Sequence, residues 1–218
     1  MKKFLYNNSL SLVFLALFFF SFAGQIYCGQ QEYNKEMLEQ GAHTVSMGAY
    51  LATGHFVQST FENWESEFLQ MALFVWLTIF LRQKGSSESK KCEGKEEVDR
   101  EPSPRRKDAP WLVKRGGIVL KLYENSLTLI LLFLFAVSFW LHMQGSLADE
   151  NEQSRLKGQP VETMVEYASS SRFWFESFQN WQSEFLSVFA IIILSIYFRQ
   201  KGSAQSKPVD APHYQTGE

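Results

Sequence analysis

Four stretches of this chain carry no charged side chain: Leu10 to Ile26, Phe68 to Leu81, Leu127 to Met143 and Phe185 to Phe198. Polar segments separate them. Helical rise from Trp64 to Arg82 comes to about 27 Å, close to the roughly 30 Å thickness of a bilayer's hydrocarbon. Tryptophan and arginine then sit at opposite interfaces, and Trp181 and Arg199 repeat the spacing. A mean hydropathy of −0.17 and a net charge of −2 would pass for a soluble domain, because the polar segments dilute the apolar runs. In lipid the backbone must satisfy its own hydrogen bonds, which helices do within one segment. The expectation is an all-α polytopic membrane protein with four transmembrane helices.

The second constraint is an internal repeat. "FENWESEFL" from Phe61 to Leu69 returns 117 residues later as "FQNWQSEFL" from Phe178 to Leu186. The same offset carries "YNNSL" (Tyr6 to Leu10) onto "YENSL" (Tyr123 to Leu127), and "RQKGS" (Arg82 to Ser86) onto Arg199 to Ser203. Met47 falls on Met164, Tyr50 on Tyr167 and Phe56 on Phe173, with no gap. A period this long exceeds the roughly 20 to 50 residues of a solenoid unit, so each copy is a two-helix module. The expected layout is a first repeat over 1–85, with spans at about 9–26 and 64–82, and a second over 111–202, with spans at about 126–143 and 181–199. Residues 86–110, rich in Ser, Pro and charges of both signs, read as a disordered cytoplasmic linker, and 203–218 as a cytoplasmic tail.

Lys2 and Lys3, the Lys- and Arg-rich segment from Arg82 to Lys121, and Arg199, Lys201 and Lys207 place both termini and the central loop in the cytoplasm. The two acidic loops face outward. "MKK" followed by an apolar run and "SFAG" also fits a signal peptide. Its counterpart in the second copy lies mid-chain, so the expectation is an uncleaved first span.

Asn8-Ser9 and Asn125-Ser126 precede the odd-numbered spans, where their side chains can accept from the free amides of the first helical turn. Gly85 and Gly202 suit a left-handed helix stop. Asn63, Glu67 and Gln70 share one helical face, as do Asn180, Glu184 and Ser187. A carboxylate about one turn below the tryptophan belt is costly against lipid. Asn63, Glu67, Asn180 and Glu184 therefore form a candidate outer polar ring, with Trp64, Trp181, Arg82 and Arg199 as interface anchors. His43, His55, His142 and His213 form no ligand-spaced pair and read as exposed loop residues, so no metal site is expected. Cys28 and Cys92 fall on opposite membrane faces and match no CxxC motif. No phosphate loop, nucleophile elbow or oriented base is present, which argues against an enzyme and against a cofactor. The basic cluster Arg105 to Lys107 reads as topology and lipid attraction, and no nucleic-acid partner is expected.

The doubled "NWxSEFL", each copy followed by an apolar span and "RQKGS", resembles a bacterial family of small four-span membrane proteins known only as a domain of unknown function. The resemblance covers nearly the whole chain. It implies a typical second copy of "NWQSEFL", as here, whereas the first copy departs at Glu65. It implies topology and no activity.

The reading that follows is a multi-pass protein of the bacterial inner membrane, non-enzymatic, with a structural or interaction role. Its partners are the bilayer and either itself or another membrane protein. The alternative is a small-solute or ion transporter or channel using the Glu67 and Glu184 pair.

Overall fold

The computed structural model describes residues 2–217, and the described residues are all helix, turn and loop with no strand. The helices are α1 (Lys2–Asn7), α2 (Ser9–Glu39), α3 (Met47–Tyr50), α4 (Gly54–Phe80), α5 (Trp111–Arg115), α6 (Gly117–Glu124), α7 (Ser126–Leu156), α8 (Met164–Ala168) and α9 (Ser171–Tyr197). A short 3-10 turn covers Glu97–Asp99. Helices α7 and α9 begin and end 117 residues after α2 and α4 respectively.

Three of these helices are long and apolar enough to cross a membrane: α2, α7 and α9. The 27 residues of α4 match α9 in length. It falls short in apolarity because Gln70 and Trp76 stand where the second copy has Ser187 and Ile193. At 31 residues, α2 and α7 are each about 46 Å long, some 16 Å more than the hydrocarbon needs. The end of α2, Glu32 to Glu39, is largely polar and continues the same helix past the apolar run. Between Ile26 and Glu39 only Gly29 is a poor helix former, and a single glycine costs too little to break the helix.

The side chains of Asn8-Ser9 and Asn125-Ser126 do not cap the helices that follow. Asn8 Nδ2 donates to Phe4 O and Ser9 Oγ to Tyr6 O, while Asn125 Nδ2 donates to Lys121 O and Ser126 Oγ to Tyr123 O. The short helices α1 and α6 run almost directly into α2 and α7, so these side chains close the carbonyl end of the preceding helix. Gly85 and Gly202 do take left-handed φ of 90° and 83°, but in turns five residues beyond the ends of α4 and α9 at Phe80 and Tyr197, so they do not themselves stop these helices. Arg82 Nη1 donates to the carbonyls of Thr78, Ile79 and Leu81, and Arg199 Nη1 to those of Ser195, Ile196 and Phe198.

The chain divides into two compact units, one comprising 1–61 and 140–173, the other 62–139 and 174–218. In the first, Tyr33, Met37 and Tyr50 form a buried core flanked by Ala42, Val45 and Phe56. Asn34 brackets the backbone of Val45, donating to its carbonyl at 3.1 Å and accepting from its amide at 2.7 Å. Asn151 brackets Glu162 in the same way, at 2.9 and 2.7 Å. Ser46 caps α3 and Thr163 caps α8. The loops that follow α2 and α7 therefore share more than the Met, Gly, Tyr and Phe positions visible in the repeat. Each delivers a buried tyrosine to a long helix. A Cβ at Gly29 of α2 would collide with the Tyr50 hydroxyl, and Ser146 of α7 hydrogen-bonds the Tyr167 hydroxyl at 2.5 Å. The first turn of α4 meets α7 backbone to backbone: a Cβ at Gly54 would lie 2.6 Å from Gly145 O, and one at Gly145 would lie 2.5 Å from Gln58 N.

In the second unit, the segment expected to be a disordered linker begins in an ordered turn. Ser86 is fully buried and its hydroxyl meets that of Ser195 at 3.0 Å. Ser89 Oγ accepts from Gln83 N at 2.9 Å, a contact that Ser206 and Gln200 repeat at the same distance. The tail folds back onto these helix ends. Lys207, 2 % exposed, donates to the carbonyls of Gly85, Pro212, His213 and Gln215. Burial and the nearby Arg199 draw its ammonium below the ordinary lysine value. Gly85 N donates to Thr216 Oγ1 at 2.8 Å, and Gly217 N to Ser86 O at 3.0 Å.

Candidate functional site

Of the four residues expected to form an outer polar ring, Asn63 and Glu67 are exposed, and Asn180 and Glu184 are half-buried. Asn180 Nδ2 donates along its own helix to Glu176 O at 3.2 Å. Glu67 and Glu184 lie within electrostatic reach of each other. The carboxylate that α4 turns inward is Glu65, fully buried beside Ser66. Its Oε1 accepts from the indole nitrogen of Trp181 at 2.8 Å.

Trp181 is also the centre of an aromatic cluster. Its ring lies 5.5 Å from Phe178, 6.3 Å from Phe135 and 6.5 Å from Trp174, all edge to face. Such pairs contribute beyond their buried area, and the polar edge of the indole is matched by a carboxylate instead of water. The two copies of the motif are thus used differently: Glu65 and Ser66 are buried, while Gln182 and Ser183 are exposed. Between the two tryptophans and the leucines that end the motif, the sequence marks this asymmetry only by the difference between Glu65 and Gln182.

The first unit holds a cluster of titratable groups. Tyr33 donates to Glu152 Oε2 at 2.8 Å, and Tyr50 Oη meets His55 Nδ1 at 3.1 Å. Asp149 is 6 % exposed and its Oδ1 has no hydrogen-bond partner among the described residues. It lies about 34 Å along α7 from Ser126, beyond the apolar span. Burial raises its carboxyl above the usual aspartate range; His55 and Arg172 pull it down, and Glu152 and Glu36 push it up. Burial, then the bond to Glu152, raises the Tyr33 phenol. Arg172 is itself paired with Glu150. Histidine does not behave uniformly here. His43 is exposed as expected, but His142 is fully buried, packed on Phe173 at 5.2 Å. It lies at the end of an apolar span and not in a loop.

Between α4 and α9 runs a cleft of about 550 Å³ within the second unit. Leu77, Leu81, Phe189 and Ile192 are among its walls, and Arg82, Gln83, Glu88 and Ser89 close one end. The arrangement presents an apolar slot with ionic groups at a single end.

These features match one family across the whole chain, residues 1–218. The chain belongs to the DUF6766 family. DUF6766 is described as a domain of unknown function. No curated protein and no solved structure matches the chain. Membership in DUF6766 therefore carries no activity over to Glu65, Trp181 or the cleft, and what they do rests on their chemistry.

Proposed function

We propose that this DUF6766 protein is a non-enzymatic, four-span protein of the bacterial inner membrane, built from two tandem two-helix repeats with both termini cytoplasmic. Its role is to hold a fixed shape in the membrane and make contact with itself or with another membrane protein. The reading rests above all on how the first unit is closed, with Gly54 and Gly145 at backbone contact. Tyr50 and Tyr167, each 1 % exposed or less, are buried against Gly29 of α2 and Ser146 of α7. Close-packed interiors of this kind are rigid, which suits a scaffold. The matched register of α4 with α9 supports four spans, and the lysines and arginines at both ends and in the central loop support the orientation.

Transport is the second reading, favoured by two carboxyl groups, Glu67 and Glu184, within electrostatic reach of each other at matching positions of the repeat. Purified protein in sealed vesicles separates the two. The scaffold reading expects proton, sodium and potassium fluxes equal to those of protein-free vesicles. A flux that E67Q and E184Q abolish overturns it in favour of transport.

A further inference from the structure

The cleft between α4 and α9 has the dimensions and charge layout of an amphiphile. From Gln70 to Arg82 it follows α4 for about 18 Å, the length of an extended acyl chain of roughly fourteen carbons. Its walls are almost wholly apolar, and all its ionic groups sit at the Arg82 end. Those groups are of both signs and both have capacity left. Arg82 is exposed and spends only Nη1 on carbonyls of its own helix end, so among the described residues no hydrogen bond uses Nε or Nη2. Arg199, its counterpart, sends Nη2 to Ala211 O in the tail. Glu88 has no ion-pair partner among the described residues and meets only the hydroxyl of Ser87, at 3.4 Å.

We propose that this cleft is a binding site for a zwitterionic phospholipid with a primary amine, held by its acyl chain along α4 and α9, its phosphate on Arg82 and its ammonium on Glu88. A guanidinium edge suits a phosphate, and a carboxylate without a cation suits an ammonium. Burial raises the Glu88 carboxyl above the ordinary glutamate range, so an incoming ammonium favours a charge that burial disfavours. A choline headgroup cannot donate the hydrogen bonds that an ammonium does, and an anionic headgroup meets Glu88 as a like charge. The inference rests on the reading of α4 as a membrane span with Arg82 at the cytoplasmic interface.

The test is native mass spectrometry of the full chain in detergent, offered phosphatidylethanolamine, phosphatidylcholine and phosphatidylglycerol of identical acyl chains in equal amounts. The expected result is retention of the ethanolamine lipid over the choline lipid by about tenfold, as one charge-assisted hydrogen bond allows, falling to near parity in Glu88→Gln. Equal retention by the native chain, a preference for the glycerol lipid, or a preference that survives Glu88→Gln overturns the proposal, and the first two need no variant to fold. Labelling of Cys92 from each side of the membrane reports separately whether α4 crosses. Parity of the lipids with Cys92 on the cytoplasmic side counts against the cleft alone, and Cys92 on the outer side removes the span and the site with it.

Discussion

The indole nitrogen of Trp181 donates to the buried Glu65 carboxyl group at 2.8 Å, joining the tryptophan of the second motif to one of the two positions at which the first motif departs from it. Trp181→Phe keeps an aromatic ring and removes the donor. It should destabilise the protein by about 1–3 kcal/mol, the range for removing one hydrogen-bond partner from a buried acceptor. Glu65→Gln keeps an acceptor there and should cost less. Unfolding of both variants in detergent checks the order, and a Glu65→Gln variant less stable than Trp181→Phe would mean the hydrogen bond is not what matters at this contact.

Backbone contact at Gly145 allows no Cβ. Gly145→Ala should lower stability by roughly 1–3 kcal/mol, as overpacking does. Gly29→Ala drives into the hydroxyl of the fully buried Tyr50, whose ring is packed in the core and bonded to His55, and should cost a similar amount. Gly24→Ala faces open space on α2 and should be neutral or slightly stabilising. Equal effects at all three positions would show that the close approach does not constrain the packing.

Much of this architecture can be read from the residues, and what cannot has physical reasons. The absence of charge marks the spans, and the 117-residue offset pairs Tyr50 with Tyr167 before any geometry is known. The same offset pairs Asn34 with Asn151, but their neighbours have diverged and a lone asparagine in a polar stretch carries no signal. Glu65 and Glu67 lie two residues apart, about 200° around a helix, so one faces in when the other faces out. Periodicity does not say which, because α4 is apolar nearly all round below that turn. Lys207 is invisible for another reason: it recognises carbonyls, which every residue has.

The tail contact gives a local prediction. Lys207→Met keeps much of the side-chain bulk but removes the ammonium that gathers four carbonyls, and the tail should come away from the ends of α4 and α9. Hydrogen exchange should then accelerate at the amides of Gly85 and Gly217, which bond Thr216 Oγ1 and Ser86 O, while amides within α2 are unchanged. Unaltered protection at Gly85 and Gly217 would show that the tail is held by something other than Lys207.

The pH response should be led by Asp149. Its carboxyl is raised in the folded state, chiefly by burial, so the folded protein binds the proton more tightly than the unfolded chain. The stabilisation is fully present below the unfolded value of about 3.9 and is lost as pH rises through the raised folded value. Asp149→Asn, which cannot ionise, should flatten the dependence of the unfolding midpoint on pH across that window and raise it at neutral pH. An Asp149→Asn variant whose midpoint tracks pH as the native chain's does would place the response elsewhere.

The central claim is that α4 crosses the membrane although, of the four long helices, it alone falls short of the apolarity of a span. Cys28 on α2 and Cys92 after α4 are both free and exposed, so the native chain carries its own probes. A membrane-impermeant maleimide applied to sealed right-side-out and inverted inner-membrane vesicles should label Cys28 only from the outer face and Cys92 only from the cytoplasmic face. Labelling of both cysteines from one and the same face would mean that α4 does not cross, and would contradict the four-span account.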